Sequence, residues 1–429
     1  MKLKKSRNSD PLFLQGASMM YAIFVMTIIT IMCSLIIGLH LYRSSTNKQY
    51  YIKMVQRRNI ESALIYTMAS PESFPYDETV QLSLFNDKYD SIEVRKEQWG
   101  LFDLISLKSK SKSSVLVRNA LCGNYCQKDD APVLFLSQGK SVLEVSGETI
   151  IQGNVYVPQG YISTEIHLGK SFNGKLPEGD KIHQAGKTRS MNKIWEPLRF
   201  DKFEKKWLLT SIDNPHSSIP DSASVPFEQN ACIYKLSGDQ TLKNVSLKGH
   251  LVIIVDGTIT IKKDATLEDI IVLANSAIIE QGFKGSLQIW AKEKIIIGED
   301  CELKYPSAAI IYCENEESTS SLIEIGKNAV MNGYAVSLSE SPCVRNHFLI
   351  DLKPKSRING GVFSCDAVQI MGCVSGYLAC KQFLLLADNK PKVNAIVDAQ
   401  ITNDESQSRP IGIDLARDHR DTYKIKWLK

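Results

Sequence analysis

Residues 11–42 contain no aspartate, glutamate, lysine or arginine. This uncharged stretch exceeds the roughly 20 apolar residues that span a bilayer. A cleaved secretory signal has an apolar core of only about 7–15 residues, and a buried core helix is seldom uncharged for so long at the start of a chain. We therefore predict a transmembrane helix at residues 17–41, preceded by a basic leader at residues 1–16.

Catalytic and cofactor motifs are also missing. The sequence has no phosphate-binding glycine loop, no Gly-x-Ser-x-Gly elbow and no His-Glu-x-x-His pair. Its ten cysteines include no Cys-x-x-Cys pair, so no zinc site is indicated. In an oxidising compartment, a disulfide between Cys122 and Cys126 remains an alternative to two free thiols. The acidic tract at residues 314–317 is interpreted as a solvated loop. We predict no cofactor and no metal.

Charge is unevenly distributed along the chain. Basic residues dominate up to Ile60, and acidic residues are in slight excess beyond it. Anionic headgroups attract such a basic region, so membrane lipid is a predicted partner, whereas no basic stripe indicates nucleic acid. Basic residues lie on both sides of the span, so the charge rule leaves its orientation open. Because short leaders stay in the cytoplasm, we predict a single-pass protein of the bacterial inner membrane with its bulk outside the cytoplasm.

Two short regions follow the span. Apolar residues at helical spacing, ended by Pro71, predict an amphipathic helical extension at residues 42–70. Short alternating runs such as VQLSLF and PVLFLS predict a small antiparallel β region at residues 71–136.

A repeat then occupies most of the chain. Its alternating runs are separated by steps of 18, 18, 28, 27 and 18 residues, and the long steps contain the polar stretches ENEESTSS and SESPCVRN. Turn-forming residues and then small residues follow each run. The predicted interior column consists of the central residue of each run: Ile261, Ile279, Ile297, Ile325, Leu352 and Ile370.

Strand, corner and strand at a fixed period are typical of a β-solenoid, in which each coil buries its inward side chains against the next. The predicted fold is therefore mainly β, with a parallel β-helix that we expect to be right-handed. First solenoid coils are predicted at residues 137–179, an insertion over the solenoid at 180–235, the main β-solenoid at 236–400, and a C-terminal tail or cap at 401–429.

One carboxylate pair deserves a chemical interpretation. Asp264 and Asp300 share a corner column, with Gly282 between them, which predicts a separation of about 9–10 Å at the usual strand spacing. Glycosidases use two carboxyl groups about 5–10 Å apart. Aspartate is also a common turn former, and no aromatic subsite accompanies this pair, so we favour the turn role and assign no catalytic residue.

Two parts of the sequence resemble known families. The basic leader ending in Gly16, the uncharged helix and the amphipathic extension resemble the type IV pilin and pseudopilin class, especially its minor members. That resemblance implies prepilin-type cleavage between Gly16 and Ala17, although the fifth residue of the mature chain would be Tyr21 where the class usually has glutamate. The solenoid part resembles membrane-anchored β-solenoid proteins of Bacteroidetes-type bacteria, and it is also similar to bactofilins.

Three functional hypotheses follow. The first is a non-enzymatic envelope protein that presents its solenoid to a protein or glycan partner, within a pilus-like or secretion assembly or as a plain signal-anchored protein. The second is a polysaccharide-processing enzyme with a groove of clustered carboxylates. The third is a cytoplasmic-facing, bactofilin-like scaffold that polymerises end to end, which the unpaired cysteines favour.

Overall fold

The computed structural model describes residues 12–85, 91–111, 114–125, 132–137, 141–185, 200–210, 215–313, 321–339, 348–387, 390–403 and 421–428. Strands dominate, as predicted. Within these described residues the α-helices are α1 (Leu12–Ala69) and α2 (Phe200–Thr210), and short 3-10 turns occur at Pro71–Ser73 and Gly179–Lys181.

The strands of the first half are, in chain order, β1 (Thr79–Ser83), β2 (Ser91–Trp99), β3 (Phe102–Lys110), β4 (Val115–Tyr125), β5 (Pro132–Leu136), β6 (Leu143–Ser146), β7 (Ile150–Gln152), β8 (Asn154–Val157), β9 (Ile162–Thr164), β10 (Ile182–Gln184), β11 (Ser222–Val225), β12 (Cys232–Leu236), β13 (Gln240–Leu242), β14 (Ser246–Gly249) and β15 (Leu251–Ile261). Those of the second half are β16 (Thr266–Ile279), β17 (Lys284–Ile297), β18 (Glu302–Cys313), β19 (Ser321–Ile325), β20 (Val330–Ser339), β21 (Phe348–Leu352), β22 (Arg357–Ser364), β23 (Ala367–Ile370), β24 (Cys373–Cys380), β25 (Gln382–Ala387), β26 (Lys390–Val393), β27 (Ala395–Val397), β28 (Gln400–Thr402) and β29 (Asp421–Leu428).

Helix α1 is a single unbroken helix with two different halves. Its apolar part, from Ser18 onward, is long enough to cross a membrane, has a mean hydropathy of 2.6 and is not buried. Hydroxyls in this part donate to carbonyls one turn earlier, as Thr30 does to Met26 at 2.7 Å, which satisfies them within the helix. The second half buries Ile60, Ala63 and Leu64 against a sheet. The predicted helix and its extension are therefore continuous.

The predicted small antiparallel sheet is confirmed, with one strand from an unexpected place. Its strand order is β1-β2-β3-β4-β29, so the end of the chain supplies its fifth strand. The sequence had assigned this segment to a tail or cap. Alternation in DTYKIKWL, with Trp427 among the α1-facing core and Leu428 on the other face, explains why it forms a strand.

Parallel pairing dominates the rest of the chain, which we call the strand body (residues 132–184 and 216–402). Its strands follow three columns. A separate three-stranded sheet of β6, β9 and β27 is also parallel. The first column is β13-β15-β16-β17-β19-β21-β23-β25. The second is β11-β14-β16-β17-β18-β20-β22-β24-β28-β7. The third is β12-β15-β16-β17-β18-β20-β22-β24-β5-β8-β10. The hairpin β25–β26 is antiparallel.

The order of strands in space differs from their order along the chain. Strands β5 to β10, which the sequence placed before the main repeat, lie beyond its far end, next to β24 and β28. Strand β5, expected in the small sheet, pairs instead in parallel with β24 and β8. It follows β24 in the third column, beside β28 of the second column, and no later strand of the chain takes this place among the described residues. Early strands of the chain (β5, β6 and β7) thus pair with late ones (β24, β27 and β28).

The small sheet and α2 both cover the outer side of the third column. Trp99, Phe102 and Leu428 of the sheet share one buried cluster with Phe203 of α2 and Trp290 of β17. The helix therefore lies over the strand body. Strands β10 and β11 and the start of β12 also fall within the predicted insertion at 180–235, but they pair with strands of the body itself. Residues 186–199 and 211–214 of that range are outside the described residues. The small sheet is held between α1 on one face and the strand body on the other.

Candidate functional site

The six residues of the predicted interior column are neighbours in the parallel register. Ile261 pairs with Ile279, Ile279 with Ile297, and Ile297 with Ile325. The series continues from Ile325 to Leu352 and then to Ile370. All six are at most 2% exposed and belong to one buried cluster. Because in-register parallel strands stack identical positions about 4.8 Å apart, these side chains fill one continuous apolar core.

The corner column after these residues adopts left-handed backbone conformations. Asp300, Asn328 and Lys355 have φ values of 55°, 59° and 62°, and Gly282 has 77°. Glycine, asparagine and aspartate tolerate this region best, so the pattern has a conformational cause. Asp264, the first predicted member of this column, does not have a positive φ.

The carboxylates of Asp264 and Asp300 each hydrogen-bond within a corner. The backbone N–H of Asn244 donates to Asp264 at 3.2 Å. The side-chain amides of Gln281 and Asn328 donate to Asp300 at 3.0 Å each, and these bonds hold the pKa of Asp300 below its usual value. General acids in glycosidases need a raised pKa, so Asp300 has the opposite electrostatic environment. Both aspartates act here as corner-forming residues.

Three further sequence-derived features can be located only in part. Gly16 and Ala17 lie in the first turns of α1, where the structure describes the backbone alone. The acidic tract at 314–317 and Cys126 are outside the described residues. Cys122 is a buried free thiol, and burial raises its pKa to about 12. Such a thiol is unreactive at neutral pH, because the thiolate is the nucleophile.

A cluster of aromatic side chains and one histidine lies where the small sheet, α2 and the strand body meet. We call it the junction cluster; it consists of Trp99, Phe203, Trp207, Phe227, His250 and Trp290. Phe203 stacks on Trp290 with ring centroids 4.5 Å apart, and Trp99 meets Trp207 edge to face at 5.4 Å. Aromatic contacts of these geometries contribute about 0.5–1.5 kcal/mol each beyond their burial.

His250 is the only titratable member of the junction cluster. Its Nδ1 is 2.7 Å from the carbonyl oxygen of Gln229, so Nδ1 carries the proton that is donated. The ring of Phe227 stacks on it at 4.9 Å. Burial lowers the pKa of His250 to about 4, so the imidazole is neutral at physiological pH. Within LKGHLVIIV, His250 is a lone histidine beside an apolar run, a pattern that gives no signal for this environment.

Polar contacts reinforce the same junction. The side chain of Gln288 accepts from the backbone N–H of Leu101 at 2.9 Å and donates to the carbonyl of Trp99 at 3.1 Å. Gln288 thereby satisfies two backbone groups of the tight β2–β3 turn, the N–H of Leu101 and the carbonyl of Trp99. Sequence analysis missed this contact because nearly 190 residues separate the partners, and a lone glutamine in a strand gives no signal.

A second cluster joins residues remote in the chain. His167 Nε2 is 2.9 Å from Glu144 Oε2, and Lys392 Nζ is 2.6 Å from the same oxygen. The cluster attaches the hairpin β25–β26 to β6. Lys392 Nζ also lies 3.4 Å from His167 Nδ1, so the three side chains form one polar network. Among the described residues, no group of three or more histidine, cysteine or acidic side chains could hold a metal ion.

Comparisons with protein-family models, with curated proteins and with solved structures returned no match.

Proposed function

We propose that the protein is a non-enzymatic, single-pass protein of the bacterial inner membrane that presents an extracytoplasmic parallel β-helix as a binding surface. The observation that supports this most is the division of α1. Its apolar half is unburied, while its second half packs on an antiparallel sheet that is itself packed on the strand body. A rigid, layered connection of this kind suits an anchor that holds a large surface in a fixed orientation.

The β-helix is proposed from the parallel register. Three columns of parallel strands, with the isoleucine column in register, fit stacked coils, and the general right-handed preference of parallel crossovers favours a right-handed β-helix. Its partner would be an envelope protein or a glycan.

We further propose a minor pilin-like role in a pilus or secretion assembly. One long helix with an uncharged first half and an extension beyond it is the arrangement on which the N-terminal resemblance rests. A prepilin-type cleavage between Gly16 and Ala17 is part of this proposal. Sequencing the N-terminus of the protein purified from its native membrane tests it: the proposal expects Ala17 first, and an uncleaved Met1 argues for a plain signal anchor.

The two alternatives receive less support. For the polysaccharide enzyme, hydrogen bonds from Asn328 and Gln281 lower the pKa of Asp300, whereas a general acid needs a raised pKa. The polymerising scaffold needs open ends. At one end β11 lies between Pro220 and Pro226, and at the other Phe172 and Leu176 pack against the core. Proline and covering loops are common ways to block edge pairing.

Orientation is the property that decides between these roles. Lys294 is exposed on the strand body, so Lys294→Cys introduces an accessible thiol, whereas the native Cys301 is buried and serves as internal control. A membrane-impermeant maleimide should label the variant in intact spheroplasts more strongly than the parent protein, whose Cys232, Cys365 and Cys373 are only partly exposed. Labelling only after permeabilisation would place the strand body in the cytoplasm and overturn the proposal. Digestion of a polysaccharide panel, abolished by Asp300→Asn, would establish the enzyme instead.

A further inference from the structure

The two edges of the small sheet differ in how they are protected. Strand β29 forms one edge; it contains Lys424 and Lys426, and its pairing with β4 is irregular between them. Lysines and bulges on an edge strand prevent the addition of further strands. Strand β1 forms the other edge. Its sequence, TVQLS, has no charge, no proline and a regular register with β2.

Strand β1 is also incompletely covered on both faces. Thr79, Gln81 and Ser83 are exposed, and Val80 and Leu82 are only half-buried at the margin of the core beneath α1. Helix α1 makes its main contacts with β2, β3, β4 and β29. An added strand would therefore complete the apolar layer beside Val80 and Leu82. It would pair with the edge of β1 at residues 79–82, where β2 is the only strand neighbour among the described residues.

A second copy of the chain in the same membrane is a poor occupant of this edge. Antiparallel pairing of β1 with its own copy requires a two-fold axis perpendicular to the sheet. Such an axis reverses every direction within the sheet plane. Helix α1 crosses several strands and so lies along that plane, and the two membrane segments would point in opposite directions. This step depends on the membrane anchor of the proposed function.

We propose that the free edge of β1 binds an extended segment of a partner protein, which joins the small sheet as an additional antiparallel strand. The partner segment has apolar residues opposite Val80 and Leu82 and uncharged polar residues opposite the exposed positions. Glu78, exposed and directly before β1, selects a basic residue at the end of that segment. Main-chain hydrogen bonds give affinity in this mode, and the alternating side chains give specificity.

The sequence of β1 itself supplies a defined probe. In an antiparallel register centred on Gln81, the peptide TVQLSK places valine and leucine beside Leu82 and Val80, and its lysine beside Glu78. Full-length protein in nanodiscs would be titrated with fluorescent peptide, and hydrogen exchange would be followed at β1 and β29. The proposal expects slower exchange in β1 and no change in β29.

Two controls make the outcome decisive. A peptide N-methylated at alternate residues cannot donate to the edge and should bind at least about tenfold more weakly. Glu78→Lys should weaken TVQLSK by about two- to fivefold and strengthen TVQLSE by a similar factor, as expected for one exposed ion pair. Absence of protection in β1, or equal binding of the methylated peptide, refutes the proposal. Failure of the membrane anchor would instead appear as extraction without detergent, so the two failures are distinguishable.

Discussion

The ammonium group of Lys426 lies 2.6 Å from both carboxylate oxygens of Asp269. Lys426 belongs to the last strand of the chain and Asp269 to a bulge of β16, where its φ is 61°. The hydroxyl of Ser286 also donates to Asp269, at 3.2 Å. This contact fastens the small sheet to the strand body through its C-terminal strand.

Removal of this contact should loosen the attachment measurably. We expect Lys426→Met to lower the free energy of unfolding by about 2 kcal/mol, because it leaves a mostly buried carboxylate without its charged donor. Lys294→Met, at an exposed position of β17, should change it by less than about 0.5 kcal/mol. Urea denaturation of both variants provides the measurement, and equal effects would show that the pair contributes nothing.

His250 should make stability depend on pH in a defined window. The unfolded chain takes up a proton near the ordinary pKa of 6.5, whereas the folded histidine does so only near pH 4. Stability should therefore be complete above pH 6.5 and decrease as the pH falls towards 4, by about 3 kcal/mol from this residue. His250→Phe keeps an aromatic ring in the junction cluster and takes up no proton. Its unfolding free energy should fall less steeply across this window, and identical slopes would exclude the assignment.

The interior column predicts a contrast between adjacent residues of β16. Ile279 is 1% exposed and Ile278 is 36% exposed. Ile279→Ala should cost about 2–4 kcal/mol, because it opens a cavity in a packed core, and Ile278→Ala less than about 1 kcal/mol. Thermal and chemical denaturation of the two variants would measure this. Similar losses would mean that the register of the column is not as described.

A glycine column in the second half of the strand body has a steric cause. Gly333, Gly360 and Gly376 are paired in register, with φ values of 148°, 147° and 141°. A Cβ on Gly360 would lie 2.1 Å from the carbonyl oxygen of Gly333. Gly360→Ala should therefore cost at least about 1–3 kcal/mol.

The matched control for this prediction is Gly179→Ala. No heavy atom lies within 4 Å of a Cβ at Gly179, and its φ is not positive. Its unfolding free energy should stay within about 0.5 kcal/mol of the parent protein. Comparable melting curves for the two variants would contradict the steric explanation.

Much of this arrangement was accessible from the sequence for physical reasons. A period of 18 residues with fixed apolar positions specifies which residues stack, as Ile261, Ile279 and Ile297 do. The uncharged run of α1 likewise predicts a helix long enough to span a membrane. Periodicity says nothing about which end of a repeat another segment joins. The runs that became β6 and β7 were recognised as strands, but their partners β27 and β28 lie far away in sequence.

The junction could not be predicted for a related reason. Trp99, Trp207 and His250 come from three separate regions, and each alone is an ordinary apolar or edge residue. Only the docking of the small sheet on the third column brings them together. Asp264 and Asp300 show the opposite case, because the turn preference of aspartate already accounted for their positions.

The interleaving of β5 between β24 and β8 has a consequence for biosynthesis. The ribosome makes β5 long before β24 exists, and β4 long before its neighbour β29. Neither can complete its pairing until almost the whole polypeptide has been made. If the strand body is exported as proposed, the chain would cross the membrane with these pairings incomplete, and the small sheet would be completed only when the eight residues of β29 arrive.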